Sequence, residues 1–143
     1  MIKHLTALAA AAAVSLPLAA AAEMDRTPAP EGAEVYFISP SDGAKVSSPV
    51  TVRFGTSGIG VAPAGVEHDK TGHHHLLVDT GMPNLSSPIP SDDNHLHFGG
   101  GQTETTVELA PGEHTLQLLM GDARHVPHEP PVASNKITIT VTE

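Results

Sequence analysis

The sequence contains no cysteine and no tryptophan, and its only aromatic side chains outside histidine are one Tyr and three Phe. Without cysteine there are no disulfides and no thiolate metal sites, so stability has to come from packing, helped at most by an ion held on other ligands. The shortage of aromatics removes the rings that usually dominate glycan and protein recognition surfaces. Cations are scarce as well. Seven Lys/Arg stand against 16 Asp/Glu, for a formal charge of −9. That balance argues against nucleic acid and anionic membrane as partners and is compatible with binding cations. No G-x-S-x-G motif occurs, and no nucleophile is set beside the His and Asp residues. The chain has one abundance: ten histidines in 143 residues.

The N-terminus reads as an export signal. Lys3 supplies a positive start, the apolar run from Leu5 to Ala22 is rich in alanine and broken by Pro17, and it ends in Ala20-Ala21-Ala22. Small residues at that point suit cleavage, after Ala22 or alternatively after Ala20. Residues 1–22 are therefore expected to be a signal peptide and the location periplasmic or secreted, with no membrane attachment after cleavage. Residues 23–33, which include "EMDRTPAPEG", are polar and proline-containing and are expected to form a flexible tether. Residues 34–143 suit a single domain with a real core.

Within that domain, short period-2 stretches alternate with Gly/Pro turns. The expected strands are 34–38, 49–55, 73–79, 95–98, 103–109, 113–121 and 135–142. Val50, Val52 and Phe54 share one face, as do Leu116, Leu118 and Met120, and Ile137, Ile139 and Val141. No helix pattern and no repeat is found. The expected fold is all-β, an immunoglobulin-like antiparallel β-sandwich of about seven strands. Two connections, 57–72 and 80–94, are longer than hairpins need, and each leads into a histidine cluster.

The histidines form four groups: His68 with His73, His74 and His75; His95 with His97; His114 alone; and His125 with His128. A strand sends residues i and i+2 to one face. His73 and His75 thus make one chelating pair and His95 and His97 another, while His125 and His128 lie in a proline-rich loop that can present both. His74 shares its face with Leu76 and Val78 and becomes structural if those face the core; the opposite parity groups His75 with Leu77 and Asp79. A single H-x-H is weak evidence for metal, and His114 reads as a surface residue. Repetition of the pattern beside long loops carries the argument. The expected metal ligands are His73, His75, His95, His97, His125 and His128. Further ligands, or groups that orient them, are sought among His68, His74, Asp79, Asp93, His114 and Glu129. Imidazole ligands with carboxylate support suit copper(II) or zinc(II), with copper first in affinity. Met24, Met82 and Met120 are too scattered for a Cu(I) motif. The glycine run after "HLHF" lacks the partners of a phosphate loop, but it would let backbone approach a site closely.

The strings "TGHHHLLVDT", "HLHFGGGQTE" and "PGEHTLQLLMGDARHVPHEPPVAS" resemble a small exported bacterial family known as domain of unknown function 4399. The resemblance spans about Tyr36 to Val141. It implies a periplasmic single domain and brings no reaction with it. Three readings follow. The first is a metal-binding protein for storage, delivery or detoxification, with no catalysis required. The second is a copper redox enzyme of superoxide dismutase type, by architectural analogy. The third is a non-catalytic module that binds a cell-envelope partner of unknown identity.

Overall fold

A computed structural model describes residues 22–143, so the expected signal peptide lies almost wholly outside the described residues. Alternating apolar residues make strands here, and the all-β sandwich is what forms. The strands are β1 (Glu34–Ser39), β2 (Lys45–Ser47), β3 (Val50–Ser57), β4 (Gly60–Val61), β5 (Thr71–Val78), β6 (His95–Phe98), β7 (Glu104–Val107), β8 (Gly112–Gly121) and β9 (Ile137–Thr142). There is no helix among the described residues. One sheet has the order β1-β3-β7. The larger has the order β2-β9-β8-β5-β4, with β6 also pairing β5. The two strands beyond the expected seven, β2 and β4, have three and two residues, too few for a periodic pattern to show. Both pair in parallel, with β9 and β5 respectively, and so modify the antiparallel plan at its edges.

The core lies between the sheets. Val35, Val50, Val52 and Phe54 come from the smaller sheet, and Leu76, Val78, Leu116, Leu118, Met120, Ile137, Ile139 and Val141 from the larger. The predicted parities hold at β3, β8 and β9, and at β5 the face carrying His74, Leu76 and Val78 is the one turned to the core. The large sheet is also covered on its outer side. Ile89, from the connection between β5 and β6, packs there with Leu77 and Leu119. Strand β5 is therefore buried on both faces, which explains why its sequence does not alternate.

The segment expected as a tether is engaged with the rest of the chain. Pro28 bridges Glu129 in parallel, Met24 donates its N–H to the Ser86 carbonyl, and Ala29 packs against the core. These partners lie some sixty to one hundred residues away in sequence, so local composition carries no trace of them.

Candidate metal centre

The centre sits on the outer face of the large sheet. By strand parity, His74, Leu76 and Val78 point to the core, and His73, His75 and Leu77 point outward. On one side of β5, His75 is paired with His97 of β6. On the other side, His75 is paired with Leu119 and His73 with Gly121 of β8. Gly121 supplies the room. A Cβ built there would lie 3.0 Å from His75 Nε2 and 3.3 Å from the His125 Cα. Gly99 plays the same part for His97, whose Cε1 would be 2.4 Å from a Cβ at that position. Glycine does permit close approach at the site, as the "GGG" run suggested.

His125 arrives from the turn that follows β8. Its φ is 66°, a left-handed conformation unusual for a residue with a side chain. The Asp122 turn enforces it. His125 donates its N–H to the Asp122 carbonyl, the Asp122 carboxylate accepts from the N–H groups of Arg124 and Val126, and Ile89 donates its N–H to the His125 carbonyl.

These elements bring His73, His75, His97 and His125 together, with one ring nitrogen from each within 4.8 Å of all the others. His75 Nε2 is 2.9 Å from His73 Nε2, and His73 Nε2 is 3.1 Å from His125 Nδ1. Two nitrogens bound ~2.0–2.1 Å from one tetrahedral ion are ~3.3–3.4 Å apart, so the His75–His73 and His73–His125 pairs need to open by only a few tenths of an ångström, while the most separated rings have to draw in from up to 4.8 Å. A neutral imidazole has one N–H and one lone pair. His73 Nε2 faces two ring nitrogens and can make a good hydrogen bond with only one of them. A cation placed between the rings would engage every lone pair at once, so the donor set fits a metal ion.

The protonation states agree with that fit. Burial first, then the neighbouring His125 and His97 rings, push His73 down to about 4 from 6.5. Burial, then His73, His97 and His125, push His75 down to about 2. His97 is lowered by burial and by His125. Near pH 7 these rings are neutral and able to coordinate. His73 and His75 form the buried back of the site, His125 is half-buried and His97 is exposed, so the centre opens to solvent on the His97 side.

The other expected residues lie elsewhere. His95 pairs with Leu77 further along the strands, and its ring is bound 2.8 Å from the Asp92 carboxylate. His128 is buried, with Nε2 3.3 Å from the Thr71 carbonyl. The His73/His75 pair therefore delivers both residues to the centre, whereas His95/His97 and His125/His128 deliver one each, with the other ring held by Asp92 or set against the Thr71 carbonyl. His74 is fully buried against Phe54, with ring centroids 4.8 Å apart, and is structural. His68 contacts the Asp69 carbonyl, His114 contacts Asp79, Glu129 pairs with Arg26, and Asp93 is exposed. Asp122 was not among the expected residues. It is buried, and its charge acts on His73. Burial alone would raise its carboxyl, but hydrogen bonds from Thr27, Val126 and Arg124 outweigh this and hold it below the ordinary range. The only sequence signal for it is an acid directly after an apolar strand.

A family model described as Domain of unknown function (DUF4399) matches residues 52–142. The chain belongs to that family. The matched span contains all four converging histidines together with Gly99, Gly121 and Asp122. No curated protein and no solved structure matches the chain.

Proposed function

We propose that this DUF4399 protein is exported by its N-terminal signal and holds one divalent ion through His73, His75, His97 and His125, with copper(II) favoured over zinc(II). The observation that carries this reading is the convergence of ring nitrogens from four histidines within 4.8 Å of one another. Four protein ligands satisfy a tetrahedral ion, whereas catalytic centres usually leave a position free. The count favours storage, delivery or detoxification over turnover. Copper leads because imidazole nitrogens without thiolate or thioether suit Cu(II), which also heads the affinity order. Export would place the site where both ions can be met outside the cytosol.

Calorimetric titration of tag-free protein with copper(II) and zinc(II) tests the proposal. One tight equivalent is expected, lost in His75→Ala and weakened in His97→Ala, with His95→Ala binding like the wild type. Weak binding that all three variants share would reject the site.

A further inference from the structure

Residues 24–29 run along the outside of the loop that carries His125. Ala29 donates its N–H to the Glu129 carbonyl, and Glu129 donates its N–H to the Thr27 carbonyl. The Arg26 guanidinium donates to the carbonyls of Pro127 and His128 and pairs with the Glu129 carboxylate. The Thr27 hydroxyl donates to Asp122 Oδ2 at 2.7 Å. In return, Arg124 reaches back to the Asp25 carbonyl at 2.7 Å. Every one of these partners belongs to the 122–129 segment, whose other contacts are its own Asp122 turn, the Ile89 and Gly65 amides, the Gly121–Pro127 bridge and the Thr71 carbonyl at His128. It contains no strand of its own and includes a residue at positive φ.

Left-handed backbone at a non-glycine residue persists only where the surroundings over-determine it. At His125 two sets of contacts do so. On the inner side are the Asp122 carbonyl and the Ile89 amide. On the outer side is the Asp122 carboxylate, which fixes the turn through Arg124 and Val126 and is itself fixed by Thr27. We propose that the 24–29 segment is a strap that sets the His125 ligand in place, with Thr27 and Arg26 as positioning residues acting through Asp122 and the 127–129 backbone. For metal affinity, this rests on the reading of the four-histidine centre given above. His73, His75 and His97 lie on paired strands and do not need the strap, so loosening it removes one ligand out of four.

The test uses the full mature chain with zinc(II) and copper(II) as probes. Thr27→Val keeps the side-chain shape and loses the donor, and Thr27→Ser keeps the donor. The expected result for Thr27→Val is an affinity loss of roughly tenfold, the range for groups that orient a ligand, with Thr27→Ser equal to wild type. Combined with His125→Ala, Thr27→Val should weaken binding no further than His125→Ala alone. Hydrogen exchange of the metal-free protein gives an independent reading: the His125 and Ile89 amides should exchange faster in Thr27→Val, while Leu76 and Leu118 stay protected. Unchanged exchange around His125, or affinity losses that add in full, would overturn the strap. Wild-type protein that binds neither ion would reject the metal reading alone. In that case faster exchange in Thr27→Val still supports the strap as what sets the turn.

Discussion

His74 is the most buried of the three consecutive histidines, and neither of its ring nitrogens has a protein partner. Burial pushes it down to about 4. It contributes ring packing against Phe54 and leaves two polar atoms desolvated. Replacing such a group by an apolar one of similar size is neutral to stabilising, because the desolvation penalty of about 1–3 kcal/mol disappears. His74→Leu should raise the unfolding free energy measured in urea by up to about 3 kcal/mol and leave metal affinity unchanged. A large loss of stability would mean that the ring has a partner and is not merely packed. Gly121 behaves differently. Its neighbours are His75 and the His125 backbone, so a methyl group there displaces a ligand while the sheet survives. Gly121→Ala should weaken metal binding while largely keeping the melting temperature of the metal-free protein.

At the scale of the strand, β5 puts three titratable rings in a row inside the protein. In the folded state His73 and His74 sit near 4 and His75 near 2, against an ordinary 6.5. Because the folded values are the lower ones, the unfolded chain binds protons between about pH 6.5 and 4 that the folded chain refuses. Stability is therefore full above pH 6.5 and falls as the solution is acidified. At pH 5 the loss is about 2 kcal/mol for each ring. His114 works the other way: its bond to Asp79 raises it, so its contribution is present below 6.5 and fades as pH rises. Since it is one partly exposed group against three buried ones, the buried rings dominate. Chemical unfolding of metal-free protein at pH 7 and pH 5 should show the decline, and a flat profile would mean that the rings are hydrated. Strand β5 also shows how far the pattern of residues could be read. That His73 and His75 share a face opposite to His74 follows from period 2, as do the core faces of β3, β8 and β9, but which face of β5 is the outer one does not, because apolar residues occupy both. That His97 would stand opposite His75 does not follow, because strand neighbours are chosen by pairing between segments far apart in sequence. The glycine opposite His73 and the φ of His125 are likewise invisible until the neighbouring strands are known. Hence His95 and His97, or His125 and His128, look equivalent by spacing, although only one of each pair reaches the centre.

For the whole molecule, the centre gathers residues from parts of the chain that are far apart in sequence. Two ligands come from β5, one from β6 and one from the turn after β8, and the first and last are separated by 52 residues. An unfolded chain cannot keep these four nitrogens within a few ångströms, so an ion held by all four binds almost only to the folded state. Ligand at a hundred times its Kd then adds about 2.7 kcal/mol. In a domain of this size that is a rise in melting temperature of roughly 10 °C. The net charge of −9 favours the approach of a cation but cannot produce a shift of this kind. Diffuse attraction is screened by salt and does not depend on any single ring. A specific centre should therefore give a rise that persists at 0.5 M sodium chloride, reverses with a chelator and is lost in His75→Ala. A rise that fades with salt and survives in His75→Ala would assign the effect to surface carboxylates.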